Sequence, residues 1–191
     1  MTFIGHTKDS LWSVDLFRCE SITLKMYWVL VVMDQSTRRI IGFGVHAGYV
    51  DGLALCCMFN TAIARMGVPK HLSSDNDPLF TYHRWLANLR ILEIDEVKTV
   101  PYTPVSHPFV ERLIGSLRRE LLDQVFFWNT FDLERKLRSF QLYFNHSRTH
   151  ASLDGDTPAE MSGSLAAHPV TLRNFTWEKH CGGLFELPVA A

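Results

Sequence analysis

Among the 20 acidic residues of this chain, three stand where solvation alone explains little. Asp15 interrupts the alternating apolar stretch SLWSVDLF, and Asp75 follows directly on the short run KHLSS. Glu111 lies in the opening turns of SHPFVERLIGSLRRELL, just after a proline-studded loop, with thirty-five residues between it and Asp75. Carboxylates drawn together repel unless cations sit between them. Hard divalent ions such as Mg²⁺ take oxygen ligands and keep positions open for water and phosphate. Two such ions about 4 Å apart can activate an attacking hydroxyl and stabilise the leaving oxygen of an in-line phosphoryl transfer. Any one acid, taken alone, is more often a solvated side chain, so order and spacing have to carry the reading.

The segment around Glu111 adds cations. On a helical wheel Val110, Leu113, Ile114, Leu117 and Leu121 make one apolar side, with Glu111 at its margin. Arg118, seven residues on, falls along the same line, and Arg112 and Arg119 lie further round the polar side. Arginines down the face of a carboxylate-bearing helix suit a phosphate backbone crossing it.

The elements that must position these residues follow from periodicity and turn signals. Residues 10–17 alternate as a strand, with Trp12, Val14 and Leu16 on one face and Asp15 on the other. YWVLVVM and RRIIGFGVH, separated by the turn DQST, complete an antiparallel meander. A helix over about 52–66 follows, capped by Asp51, with Leu55, Phe59, Ala62 and Met66 at helical spacing and Gly67 and Pro69 ending it. A fourth strand runs into Asp75, a polar helix spans about 78–89, and a fifth strand lies near 96–100. Helices over about 107–125 and 130–145 close the core. This order implies a mixed sheet with helices on both faces. Residues 162–191 read as an irregular tail with room for a small β element.

Bulk properties set limits. With 191 residues, 47% hydrophobic and 12% aromatic, the chain can bury a real core. The longest apolar run is far short of the roughly 20 residues that span a bilayer. The first ten residues lack a secretory pattern, so a cytoplasmic protein without membrane partners is expected. A net charge of −1 means any nucleic-acid contact must rest on local patches. Cys19, Cys56, Cys57 and Cys181 show no CxxC spacing and read as buried, reduced thiols.

Together the three acidic segments resemble the catalytic core of the DDE transposases and retroviral integrases. That pattern places an Asp in the first strand, a second Asp after the fourth, then thirty-five residues and a Glu. WSVDLF, LSSDNDPLF and SHPFVERLIGSLRREL match it in order. VVMDQSTRRIIGFGV is similar to the family's second and third strands, and YFNHSRTHASLDGDTPAE to the Tyr-Asn…Arg…His…Leu…Thr-Pro-x-Glu ending of bacterial insertion-sequence transposases. The resemblance covers about residues 11–161. It implies a ribonuclease H-like α/β fold, a five-stranded mixed sheet flanked by helices. It implies Mg²⁺- or Mn²⁺-dependent nicking of a transposon end, then attack of the new 3′-hydroxyl on target DNA. Asp15, Asp75 and Glu111 would be the catalytic ligands of two ions. Transposon ends, target DNA and further copies of the chain would be its partners, in association with a bacterial nucleoid. A nuclease that cuts without joining, and an inactive remnant that only binds DNA or transposase, are the rival readings.

Two departures stand out. Asp77 replaces a glycine common in relatives, and is expected to cap the helix that follows. The first strand begins about ten residues into the sequence, so the helix-turn-helix region that reads transposon ends is expected to be absent or separately encoded. In the loop before Glu111, His107 reads either as a helix cap or as a phosphate contact, and the proline-rich segment either as a rigid connector or as a loop over DNA with Tyr102 stacking on a base or sugar. His146 and His150 have the i, i+4 spacing of a zinc pair but lack a third ligand. His180 and Cys181 likewise lack partners at metal-site spacing. Arg38, Arg39, Arg135, Lys136 and Arg138 read as solvated, and LALCCMF as core.

Overall fold

The structure is a computed structural model that describes residues 11–98, 108–163 and 175–190. Five strands form the main sheet in the order β3–β2–β1–β4–β5: β1 Leu11–Glu20, β2 Met26–Asp34, β3 Ile40–Ala47, β4 His71–Ser74 and β5 Asp95–Lys98. β1, β2 and β3 are the expected antiparallel meander, while β4 runs parallel to β1 and β5 parallel to β4. Both faces are covered. Trp12, Val14, Leu30 and Val32 enter one core with Leu55, Phe59 and Trp85; Phe17, Cys19, Val29 and Val31 enter the other with Leu113, Leu117 and Phe140. A strand buried on both faces reads as a continuous apolar run, as the VLVVM of β2 does.

One face is closed by α1 (Gly52–Ile63) and α2 (His83–Ile91). Asp51 caps α1 as expected, its Oδ1 accepting from the Ala54 N–H at 2.8 Å. The helix stops at Ile63, short of the expected residue 66. It lies unusually close to β3: a Cβ on Gly42 would stand 2.1 Å from the Ala62 carbonyl oxygen, and one on Gly44 2.2 Å from that of Met58. Because α1 touches the sheet on one side only, its outward stripe exposes Leu53 and Cys57, which corrects the reading of LALCCMF as core throughout. Of the four thiols expected to be buried, Cys19 and Cys56 are; Cys57 is exposed and Cys181 half-buried. The helix expected over 78–89 is broken. Pro78–Thr81 form a 3₁₀ turn capped by Asp77, Tyr82 is extended, and α2 starts anew.

The other face is closed by α3 (Pro108–Leu117) and α4 (Thr130–His146). α3 continues into a wider π turn, Arg118–Leu122, in which the Asp123 N–H reaches back to the Arg118 carbonyl at 2.9 Å. At the start of α4, buried Asp132 accepts from the Trp128 N–H (3.2 Å), Arg135 (3.0 Å) and Lys136 (2.5 Å). Arg135 and Lys136 are therefore not simply solvated; they neutralise a covered carboxylate. At the far end Asn145 is buried and grips Ile40 of β3 twice, accepting from its N–H and donating to its carbonyl, both at 2.9 Å. α5 (Pro158–Met161) follows, capped by Thr157 and Glu160. β6 (Phe175–His180) and β7 (Phe185–Ala190) make a hairpin whose Phe185 stacks flat on Tyr143 of α4, 4.4 Å between ring centres. Among the described residues no helix is long and apolar enough to cross a membrane.

Gly44→Ala tests the close approach of α1. Neither clashing backbone can give way cheaply, so the variant should lose about 3 kcal/mol or more, read from the urea midpoint. Wild-type stability in that variant would mean that α1 does not rest directly on β3.

Candidate active site

The parallel pairing of β1 and β4 sets the site. Ser13 lies opposite Ser73, and two residues further along each chain come Asp15 and Asp75. Residues two apart in a strand share a face. Here it is the face on which Phe17 and Cys19 pack beneath α3. Over that face Val110, Leu113 and Leu117 anchor α3 in the core, and Glu111, next to Val110, emerges exposed in its first turn.

Asp15 is half-buried and its Oδ1 accepts from the Leu16 N–H at 2.7 Å. Its carboxyl is pushed up to about 7, from an ordinary 3.8, chiefly by burial. The Leu16 N–H works against that rise, while the charges of Asp75, Glu111 and Asp77 add to it in that order. The structure thus brings the three sequence-predicted acids, with Asp77 as a fourth, into one electrostatic neighbourhood. Asp75 accepts from the Asp77 N–H at 3.0 Å, and Asp77 caps the 3₁₀ turn through the Leu79 N–H at 2.8 Å. The role expected of Asp77 as a cap therefore applies to that turn rather than to α2. Among the described residues no three His, Cys, Asp or Glu side chains stand close enough to make a finished ion cage. The donor set is nonetheless the one a hard divalent ion takes, all carboxylate oxygen. The negative charges of Asp75, Glu111 and Asp77, which add to the rise at Asp15, would also attract a cation.

The predicted DNA-contacting residues are placed less uniformly. Arg112 and Arg119 are exposed on α3 and its continuation. Arg118 is turned onto the protein itself: its guanidinium lies 5.2 Å from the Phe17 ring centre, and Nη2 donates to the Arg18 carbonyl at 2.9 Å. Tyr102 and His107 lie outside the described residues. Arg38 and Arg39, expected to be solvated, are half-buried. Arg38 packs its guanidinium against the ring of Phe109, 3.1 Å from the centroid, at the start of α3. Arg148 holds Glu120 through two parallel hydrogen bonds, Nε to Oε2 at 3.1 Å and Nη2 to Oε1 at 2.8 Å. His150 packs edge-on to Phe144. Sequence periodicity gave no signal for the Arg38 contact, because residue 38 is a turn position with φ +62°.

A family model described as integrase core domain matches residues 92–158, the stretch that carries Glu111, α3 and α4. An uncharacterised 39.2 kDa protein of insertion element IS476 from Xanthomonas euvesicatoria is 23% identical over 156 residues, 82% of this chain and 45% of that protein. A 31.7 kDa protein of insertion element IS407 from Burkholderia multivorans is 23% identical over 163 residues, 83% of this chain and 57% of that one. The chain thus spans about half the length of the curated relatives it matches. Among solved structures, the catalytic core of BIV integrase superposes with a TM-score of 0.57 at 24% identity, covering 81% of this chain and 93% of that core. The HTLV-2 integrase core in complex with magnesium gives 0.62 at 18%, covering 82% and 98%. These likenesses bear on the fold, which is the ribonuclease H-like arrangement of integrase cores. Motif order, the family match over residues 92–158 and the shared fold converge on a likeness to integrase catalytic cores and to proteins of bacterial insertion elements.

Proposed function

We propose that this chain is a polynucleotidyl transferase that nicks DNA and joins the resulting 3′-hydroxyl to a second DNA, acting in the transposition of an insertion element. The observation that supports the reading is the β1–β4 register, which sets Ser13 opposite Ser73 two residues before Asp15 and Asp75, together with the charges of Asp75 and Glu111 that act on Asp15. Asp15, Asp75 and Glu111 would hold two Mg²⁺ or Mn²⁺ ions. Bound there, such ions lower the pKa of an attacking water or hydroxyl and offset charge on the leaving oxygen. The protein's own part is to keep these oxygens on one face of a rigid sheet and to limit water around half-buried Asp15. Exposed Arg112 and Arg119 would take phosphates of a strand lying along α3, giving salt-sensitive binding. Arg118, by bracing α3 against β1, would position that face, and His107 and Tyr102 would contact the strand from the preceding loop. Two transposon ends must be handled together, so several copies of the chain would act in one assembly. A similar chain is part of a simian T-cell lymphotropic virus intasome.

Asp75→Asn and Glu111→Gln should each reduce Mn²⁺-dependent nicking and joining to background, with circular dichroism unchanged. A duplex offering a free 3′-hydroxyl beside a plasmid should yield joined products. Nicks without joints would make the chain a nuclease, and full activity in either variant would remove the acids from the reaction.

The pH dependence has a defined sign. Asp15 binds its proton more tightly folded (about 7) than unfolded (3.8). Without metal, its contribution to stability therefore falls as pH rises from about 4 to 7 and is level above that. Asp15→Asn removes the effect. The variant should melt above wild type in metal-free buffer, with a gap that opens across this window and then stays constant. A gap independent of pH would show that Asp15 is not held protonated by its surroundings.

A further inference from the structure

The turn between β2 and β3, the side of α3 and the segment following α4 enclose a cavity of about 90 Å³ apart from the carboxylate cluster. Its polar wall is Arg38, Arg112, Ser116, Arg148, His150 and Ser152, and among the described residues no acid lines it. Three guanidinium groups around so small a space repel one another unless answered. Glu120 answers Arg148, and Asp34 acts on Arg38 through its charge. Arg112 is exposed beside them and takes part in none of the ion pairs among the described residues.

Donors outnumber acceptors here. Arg38 donates through Nη1 to the Gln35 carbonyl and stacks on Phe109, yet its Nε is closed off from solvent without a hydrogen-bond partner among the described residues. Arg148 Nη1 lies 3.2 Å from His150 Nδ1. A guanidinium can only donate, so Nδ1 accepts and the ring proton sits on Nε2. That nitrogen is also buried without a well-formed bond. Burial and then Arg148 push His150 down to about 4, against smaller pulls from the Phe144 carbonyl and Glu120, so the ring is neutral at pH 7. The Ser116 and Ser152 hydroxyls complete a wall of donors. A tetrahedral oxyanion is the ligand that accepts from several N–H and O–H groups at once while answering positive charge.

We propose that this cavity binds one phosphate group, held by Arg38 and Arg112 with Arg148, Ser116 and Ser152 around it. The phosphate is either a link of a nucleic-acid backbone or a free phosphate. The backbone source rests on the strand-transfer reading, since Arg112 adjoins Glu111; the free source does not.

Two measurements on wild type, Arg38→Gln and Ser116→Asp test it: thermal unfolding in inorganic phosphate against chloride at matched ionic strength, and fluorescence anisotropy of a short labelled duplex across a salt series. Phosphate should raise the wild-type melting temperature more than chloride does, and both variants should lose that increment. The duplex should bind the variants more weakly, with a salt slope smaller by about one phosphate contact. A response to phosphate alone identifies the free ion as ligand, and a response to duplex alone identifies the backbone. No difference between wild type and variants in either measurement overturns the proposal. Should Arg38→Gln fail to fold, Ser116→Asp decides. If strand transfer is never detected while phosphate still stabilises wild type and not the variants, the catalytic reading falls and the pocket stands.

Discussion

The parallel pairing of β1 with β4 is the constraint on which the site depends. It brings Asp15 and Asp75, far apart in sequence, to neighbouring positions on one face. A slip of one residue would send Asp75 to the opposite face, and the register is held against that. Leu72 is wholly buried in the core beneath α1 and α2. The next residue but one, Ser74, donates to Glu96 of β5 at 2.7 Å, and Trp85 of α2 donates to the same carboxylate at 3.3 Å. A buried apolar residue, a hydroxyl and an indole N–H thus fix the strand whose end carries Asp75.

The site itself is unfavourable to folding. Crowding carboxylates near a half-buried aspartate costs free energy, and the molecule offsets this by covering both faces of the sheet with apolar side chains. The same core that stabilises the fold provides the anchor points of α3, so Val110, Leu113 and Leu117 set where Glu111 emerges. Amide clamps do the finer fixing. Asn145 binds both backbone groups of Ile40, and Gln141 donates to the carbonyls of Ile40 and Ile41 at 3.1 and 2.8 Å. These tie α4 to the edge of the meander through directional bonds, where apolar packing alone would allow sliding.

Much of this was legible in the sequence wherever a residue's role is local. Asp51 and Asp77 announce caps because the donors they satisfy lie within three residues. The strands of the meander announce themselves by apolar runs broken by DQST. The three acids were read as a set only through their resemblance to a family pattern, since any one of them alone reads as a solvated side chain. What escaped is long-range. Arg118 sits on a polar stripe by periodicity, but its partner, the Arg18 carbonyl, is a hundred residues away. Arg38 stacks on Phe109 from a turn whose left-handed backbone no period encodes. The partition of LALCCMF into buried and exposed thiols depended on which side of α1 met the sheet, a contact made at Gly42 and Gly44 of β3.

Those two glycines matter beyond packing. With no side chains between α1 and β3, helix and strand touch main chain to main chain, so that part of the molecule forms a stiff plate with little compliance. The acids stand on the plate's other surface, spaced too widely among the described residues for a closed cage. On that surface α3 is held off the sheet by the side chains of Val110, Leu113 and Leu117, so its distance from β1 is set by side-chain volume rather than by main-chain contact. Glycine thus sets the thickness of one layer and hydrocarbon bulk that of the other, so a single methylene added to Val110 or Leu113 would shift the carboxylate beside it, while the sheet beneath Asp15 would stay where it is.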